Sequence, residues 1–284
     1  MQSHFIRRPG GGQQEETMTY EHIQVSDREA VRTVTLARAG ARNAQSQALL
    51  DELDHAMRAA ATDDQVRVVV IAGDGDHFSA GHDLKEAQAS RADFSVEQRW
   101  AYESLRYFDY CMSIWDFPKP VIARVQGACV SGGFMIANMC DLVVCADDAF
   151  FSDPVCHTLA AAATEVLIHP WVMGLRRAKE MLFTGERVTA EQALQMGMVN
   201  RVVPRAQLEE ETMALARRVA QAPPFALRLV KKSLNRTLDA QGLRAALSGH
   251  FDLHQLSHMS DEFAQVKQKG LAQAILRNKK GASA

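Results

Sequence analysis

Short apolar runs alternate with segments of helical periodicity over the first two thirds of the chain. The run 66–71 is rich in β-branched residues, as a buried strand is, and Leu49, Leu53 and Met57 recur before it at helical spacing. The predicted strands lie at 23–25, 31–36, 66–71, 121–125, 142–145 and 199–203. Further helices are predicted near 95–115, 132–140, 163–172, 175–183 and 190–196. This alternation predicts an α/β fold with largely parallel strand pairing.

The pattern changes to helices alone from Arg205 onward. Helices are predicted there at 208–221, 227–238, 241–257 and 260–276. A helical segment of this size is short for an independent core, so we expect it to pack on the α/β body or on a neighbouring subunit. The predicted organisation is a disordered tail at 1–17, an α/β core at 18–204 and a helical C-terminal region at 205–284.

Length and composition narrow the class of protein. The chain has 284 residues, 47% of them hydrophobic and 23% charged, with a formal net charge of −2. These values are ordinary for a globular protein and give no reason to expect nucleic acid as a partner. No run approaches the ~18 apolar residues of a membrane span, and residues 1–17 lack the apolar core of a secretory signal. The five cysteines show no metal-ligand spacing, so we expect a reducing, cytoplasmic location.

Two glycine-centred turns form the candidate chemical site. The first is the segment 78–85 (F-S-A-G-H-D-L-K), which follows the strand predicted at 66–71. The second is 127–133 (G-A-C-V-S-G-G), which opens the helix predicted at 132–140. Glycine lets backbone N–H groups face a ligand with no side chain in the way. Two such N–H groups that converge on one oxygen would form an oxyanion hole.

Four motifs in this order resemble the crotonase superfamily of enoyl-CoA hydratases and isomerases. The segment 42–44 (R-N-A) opens the first long helix, and 78–85 is similar to the family's F-x-A-G-x-D-[IL]-K loop. The segment 120–133 resembles the family's pattern P-x-x-A-x-x-x-G-x-x-x-G-G. The segment 182–200 is similar to the last of the family's motifs along the chain. The resemblance runs from about residue 20 to 204. It implies a crotonase-like spiral of ββα units with a helical C-terminal region, an acyl-CoA ligand, and assembly as a homotrimer or homohexamer.

The resemblance also implies roles for particular residues. The oxyanion donors would be the backbone N–H groups of His82 and Gly132, the second at a helix N-terminus whose dipole favours negative charge. Asp83 is also placed to cap a helix that begins at Leu84. Neither a metal nor a cofactor other than the CoA thioester is expected. The loop residues expected to bind the CoA ligand are Arg42, Ala80, Gly81, Asp83, Leu84 and Lys85.

Two positions depart from the family's pattern, because Met135 and Val155 stand where it usually carries two glutamates. Neither side chain can accept or deliver a proton. Glu165 is the first candidate to replace them, expected at the start of a helix with its pKa raised by burial; a charge that only complements the helix dipole is the alternative. Asp153 is the second candidate, and the alternative is that it is an ordinary turn residue without a role in catalysis. Weaker candidates are His157 and His169.

These features predict a protein that binds an acyl-CoA thioester and stabilises its enolate. A single carboxylate suits double-bond isomerisation, which moves one proton, better than hydration. An isomerase or an atypical hydratase is the first hypothesis, and a non-catalytic acyl-CoA-binding or carrier protein is the alternative. The two differ in whether Glu165 or Asp153 comes within ~4 Å of the reacting carbon.

Overall fold

A six-stranded sheet forms the centre of the computed structural model, which describes residues 19–159 and 164–271. In sheet order the strands are β1 (Ile23–Arg28), β2 (Val31–Leu36), β3 (Val68–Gly73), β4 (Val121–Val125), β6 (Leu142–Ala146) and β9 (Arg201–Val203). β1 and β2 pair antiparallel, and every later pair of neighbours is parallel. The predicted α/β fold with largely parallel pairing is confirmed.

A second, three-stranded sheet holds the second glycine turn. It consists of β5 (Ala128–Val130), β7 (Phe150–Ser152) and β8 (Val188–Thr189), with β7 in the middle. The parallel register joins Val130 to Ser152 at the ends of β5 and β7. The next residues along the two strands, Ser131 and Asp153, are therefore brought side by side. These strands are too short for a periodic pattern, and the sequence analysis predicts none of them.

Helices cover both faces of the main sheet. Along β3, Val69 and Ile71 face one apolar cluster and Val68 and Val70 face the other, as the two-residue repeat of a strand requires. The helices of the first 160 residues are α1 (Gln47–Thr62), α2 (Leu84–Arg91), α3 (Val96–Glu103), α4 (Asp109–Trp115), α5 (Gly132–Met139) and α6 (Val155–Thr158). The later ones are α7 (His169–Met173), α8 (Leu175–Thr184), α9 (Ala190–Gln195), α10 (Leu208–Ala220), α11 (Pro224–Ala240), α12 (Leu243–Ser257) and α13 (Asp261–Lys269).

The C-terminal helices make contacts of different kinds. α10 covers the second face of the sheet, where Met213 and Ala216 pack with Ile122 of β4. α12 sends Leu243 and Leu247 into the main core. Between α3 and α4 the chain forms a π-helical turn, Ser104–Phe108, a rare conformation that is frequently found at functional sites. Within the part of the chain that the structure describes, no helix is both long enough and apolar enough to cross a bilayer.

The structure corrects one predicted helix and leaves two predictions outside its range. The strand predicted at 121–125 has those bounds, but the helix predicted near 163–172 begins only at His169. Pro170 occupies its first turn, where proline is favoured because no backbone N–H is needed there. The tail predicted at 1–17 lies outside the described residues, as do residues 272–276 of the last predicted helix.

Candidate functional site

The two glycine turns pack directly against each other. Gly81 has a φ of +90°, which favours glycine. A Cβ atom at this position would lie 2.9 Å from the carbonyl oxygen of Val130 and 3.3 Å from the backbone nitrogen of Gly132. Backbone hydrogen bonds in both directions between Ser79 and the second turn hold this approach, with Val130 N donating to Ser79 O at 3.0 Å.

Asn43 fixes the segment that supports the first turn. Its side chain is fully buried, accepts a hydrogen bond from Arg38 N and donates to the carbonyl oxygens of Asp74 and His77. Its φ of +52° is a conformation that asparagine tolerates better than most residues. The R-N-A motif therefore acts through Asn43, which ties three backbone segments together.

Two backbone N–H groups at the junction of the turns have no hydrogen-bond acceptor. Those of His82 and Gly132 donate to no atom of the described residues. Gly132 is the first residue of α5, so its N–H also lies at the positive end of the helix dipole. Neither N–H group expected from the sequence is thus used by another described residue, and their convergence on one ligand oxygen stays a prediction.

His82 and Glu165 form a buried pair beside these N–H groups. His82 Nε2 lies 3.3 Å from Glu165 Oε2, and the imidazole stacks on Tyr107 with the ring centroids 3.9 Å apart. Both ring nitrogens are buried without a well-aligned hydrogen bond to a described residue. Tyr107 belongs to the π-helical turn, which places its ring against the first glycine turn.

The structure corrects two expectations about Glu165. It lies in the non-helical segment 164–168 and not at a helix start. Burial is the largest single influence and raises the pKa of its carboxyl, but the imidazoles of His82 and His254 together lower it below the ordinary value of 4.5. The predicted increase is therefore wrong, because interactions of the carboxylate with the neighbouring imidazoles outweigh desolvation. A carboxyl with this pKa is ionised at neutral pH and can accept a proton.

A small cavity of about 10 Å³ lies in front of Gly132. Its lining includes His82 but not Glu165, so the imidazole is the member of the pair that faces the cavity. A Cβ atom added to Gly132 would lie 2.6 Å from Gln45 Oε1 and 2.7 Å from His82 Cε1. The residues that line the cavity include Gln45, Leu50, His82, Tyr107, Gly132 and Met135.

The two positions without the usual glutamates lie in different surroundings. Met135 is 1% exposed and faces the small cavity. Val155 packs with Leu159, Phe263 and Leu271 in a separate apolar cluster. Neither position has a carboxylate that could act on a substrate.

Asp153 is buried behind the second turn and does not line the cavity. Its side chain is 0% exposed and its Oδ2 lies 3.1 Å from Nε2 of His169, which is also 0% exposed. Its Oδ1 accepts a hydrogen bond from Ser131 Oγ at 3.0 Å. His157, by contrast, is exposed, and its Nε2 lies 2.6 Å from the carbonyl oxygen of Phe183.

The residues expected to bind CoA lie along one loop and its flank. Arg42 and Lys85 are exposed, and Ala80 N donates to Arg42 O. Leu84 packs against the cluster that contains Val155. Asp83 caps α2, as predicted, by accepting hydrogen bonds from Lys85 N and Glu86 N. It also forms an ion pair at 3.0 Å with Arg38, which sequence reasoning missed.

Gln45 and Tyr107 are the other site residues that sequence reasoning missed. Gln45 follows the R-N-A motif closely, and its backbone bridges the first turn by donating to Gly81 O and accepting from Asp83 N. The position of Gln45 directly after this motif is a sequence signal that could have identified it. Tyr107 lies in a segment predicted as regular helix, and no local pattern marks its π-helical turn.

A third carboxylate–imidazole cluster lies between α3 and α12. Glu103 Oε2 is 3.0 Å from His254 Nε2, 3.2 Å from His258 Nε2 and 2.7 Å from Gln255 Nε2. Two histidines and a glutamate are ligand types that a zinc ion accepts. However, Arg99 lies 3.3 Å from Glu103 Oε1, so the carboxylate is already compensated by nitrogen donors. We therefore interpret the cluster as a hydrogen-bond network that joins the two helices.

Comparisons with known proteins point to one family. The sequence profile of the enoyl-CoA hydratase/isomerase family matches residues 26–274. The 2,3-dehydroadipyl-CoA hydratase of Escherichia coli is 35% identical over 240 residues, which cover 82% of this chain and 88% of that protein. The structure of a probable enoyl-CoA hydratase from Mycobacterium smegmatis is 46% identical, with a TM-score of 0.79 over 84% of this chain and 94% of that one. An enoyl-CoA hydratase/isomerase from Xanthobacter autotrophicus Py2 is 34% identical, with a TM-score of 0.84 over 91% of this chain and 97% of that one.

Proposed function

This chain belongs to the enoyl-CoA hydratase/isomerase family, and from that premise we propose that it isomerises the double bond of an enoyl-CoA thioester. The observation that carries the proposal is the His82–Glu165 pair beside the unpaired N–H groups of His82 and Gly132. The crotonase fold expected from the sequence is confirmed by the structural relatives. The proposed chemistry needs no cofactor besides the CoA thioester itself.

The backbone N–H groups of His82 and Gly132 would hold the thioester oxygen. When a base removes a proton from the α-carbon, the negative charge moves onto that oxygen. Donors that already point at this position stabilise the enolate without reorganisation, and such an arrangement is usually the largest single contribution to catalysis. The dipole of α5 acts in the same direction at Gly132.

The His82–Glu165 pair would carry the proton. Glu165 is ionised at neutral pH, and the imidazole edge of His82 faces the cavity. The pair removes a proton from the α-carbon of a 3-enoyl thioester and forms a dienolate. It then returns the proton to the γ-carbon, which leaves a 2-enoyl thioester and the original charge on the pair. One proton carrier is sufficient for this reaction, and Met135 and Val155 are not required to take part.

A non-catalytic acyl-CoA-binding protein is the second candidate. It is favoured by the apolar side chains of Met135 and Val155, because hydration needs one group to activate water and another to protonate the α-carbon. Exposed apolar side chains on α11, among them Phe225 and Leu234, are consistent with the homotrimer or homohexamer that the resemblance implies. Light scattering on the purified protein tests that assembly.

The test of function presents three ligands in parallel. A 3-hexenoyl-CoA sample should gain the ultraviolet absorbance of the conjugated 2-enoyl thioester. Crotonyl-CoA should be hydrated slowly, because each missing acid or base group typically contributes ~10²–10⁴-fold. Octanoyl-CoA should bind in a calorimetric titration. Binding without turnover would establish the second candidate, fast hydration would establish a hydratase, and no binding at millimolar ligand would overturn both candidates.

A further inference from the structure

Ser131 occupies an unusual backbone position immediately before Gly132. It is the N-cap residue of α5, with a φ of +47° and a ψ of −115°. Glycine adopts this conformation readily, but a side chain at Cβ makes it strained. Gly81 of the first turn lies against it, because a Cβ atom on Gly81 would be 3.2 Å from Ser131 Cβ. The backbone at this point sets the direction of the Gly132 N–H.

The hydroxyl of Ser131 does not cap the helix that it precedes. An N-cap serine usually accepts a hydrogen bond from an N–H of the first turn. Here no such bond is made, and the hydroxyl donates instead to Asp153 Oδ1 at 3.0 Å. The Ser131 side chain is therefore turned away from α5, whose first residue, Gly132, lines the small cavity.

Asp153 is itself held by buried contacts. Its other oxygen lies 3.1 Å from His169 Nε2, and both side chains are 0% exposed. The His169 ring stacks on Phe134 of α5, with centroids 4.5 Å apart and an interplanar angle of 14°. The network thus begins at the cap of α5 and returns to the same helix through an aromatic contact.

We propose that Asp153 and His169 are positioning residues for the enolate site, acting through Ser131. They anchor the Ser131 hydroxyl and so fix the strained backbone that sets the direction of the Gly132 N–H. This inference rests on the proposed function, because it concerns the donor that would bind the thioester oxygen. Neither Asp153 nor His169 lines the cavity, so they act without touching the substrate.

The variant Ser131→Gly separates this role from a structural one. Glycine relieves the backbone strain, so the thermal unfolding temperature should not fall. The variant also removes the link to Asp153, so the Gly132 N–H should lose its fixed direction. The kcat for 3-hexenoyl-CoA should then decrease, by less than the ~10²–10³-fold that loss of an oxyanion donor costs, while KM changes little. A merely structural serine would leave kcat unchanged or raise it.

A spectroscopic probe measures the same effect without turnover. The absorption of 4-(dimethylamino)cinnamoyl-CoA shifts to longer wavelength when its thioester oxygen accepts hydrogen bonds, because its electrons move from the amine toward that oxygen. The wild-type protein should produce this shift, and Ser131→Gly should reduce it. Ser152→Ala is the matched control, since it removes a neighbouring buried hydroxyl that donates to Gly185 O and not to Asp153.

Two variants of Asp153 test whether an acceptor oxygen at this position is sufficient to preserve the spectral shift. Asp153→Asn keeps an oxygen that can accept the Ser131 hydrogen bond, so it should retain more of the shift than Asp153→Ala. If the wild-type protein binds the probe without a shift, or does not bind it, the proposed oxyanion site fails and this inference fails with it. If the wild-type protein shifts the probe and Ser131→Gly shifts it equally, only the positioning role is overturned.

Discussion

One carboxylate–imidazole pair lies at each of the two glycine turns, and the pairs differ in their access to the cavity. His82 and Glu165 lie 3.3 Å apart, and the imidazole faces the cavity. Asp153 and His169 lie 3.1 Å apart with no exposure, and the carboxylate also binds the Ser131 hydroxyl. The same residue types are thus suited to proton transfer in one place and to positioning in the other.

The difference comes from where each carboxylate enters the fold. Asp153 follows β7, and the register of β7 with β5 places it beside Ser131, behind the turn. Glu165 comes from the non-helical segment before α7, on the side where Tyr107 stacks on His82. Access of the imidazole to the cavity, and not the identity of the pair, therefore decides which pair can take part in chemistry.

The largest expected effect is on turnover by Glu165→Gln. This substitution keeps the size of the side chain but removes its charge and its ability to accept a proton. Loss of a general base lowers kcat by ~10²–10⁴-fold, whereas affinity for octanoyl-CoA should be nearly unchanged. Steady-state kinetics and calorimetric titration measure the two. The exposed Glu180→Gln is the control, and activity retained in Glu165→Gln would remove Glu165 from the mechanism.

The pH profile of the wild-type protein tests whether ionisation of Glu165 limits turnover. A base is active when it is ionised, and the pKa of Glu165 lies below its ordinary value of 4.5. Where ionisation of Glu165 limits the reaction, turnover should persist as the pH falls to about 4.5 and decline only below that value. An acid limb centred well above 4.5 would assign the limiting ionisation to another group.

The cluster of Glu103, His254 and His258 should affect the stability of the protein and not its catalytic activity. Burial raises the pKa of Glu103, but hydrogen bonds from His254 and His258 lower it by more, so the folded value lies below 4.5. Glu103→Gln should lower the free energy of unfolding by roughly 3–5 kcal/mol, as removal of one partner from a buried pair does. Urea unfolding measures this, with the exposed Glu97→Gln on the same helix as control. A loss of kcat per folded molecule would instead connect Glu103 to the reaction.

Linkage gives the pH dependence of this stabilisation its sign. A carboxyl whose folded pKa is below its unfolded pKa contributes stability above the unfolded value of about 4.5, and that stability is lost as the pH falls through the folded value. The difference in unfolding free energy between the wild-type protein and Glu103→Gln should shrink below pH ~4.5. A difference that stays constant there would show that the charge of Glu103 contributes nothing.

The smallest expected effect comes from Asp83→Ala. Asp83 accepts two backbone hydrogen bonds at the start of α2 and pairs with Arg38. Loss of such a cap costs about 0.5–2 kcal/mol of stability. Thermal unfolding measures it, and Asp83→Asn, which retains a capping oxygen, is the control. If Asp83→Ala lowers octanoyl-CoA affinity at unchanged stability, Asp83 binds the ligand and is more than a cap.

Local patterns predicted the elements that local interactions build. The strand at 121–125 and the helix that begins at Gly132 follow from β-branched runs and from a glycine turn, and both were placed within one residue. The segment 164–168 was misassigned, because its apolar composition matches a helix as well as a buried loop. The short strands β5, β7 and β8 form only where neighbouring chain supplies their hydrogen bonds.

The sequence by itself determined the family, the fold and the two glycine turns, because motif spacing and hydrophobic periodicity are properties of neighbouring residues. It also showed that Met135 and Val155 leave the usual acid and base positions empty. Only the tertiary structure decided that Glu165 meets His82 and that Asp153 meets Ser131. Those contacts join residues far apart in the chain, and the register of the strands and the packing of the turns set them. The pKa of Glu165 follows from one such contact, and no local pattern contains it.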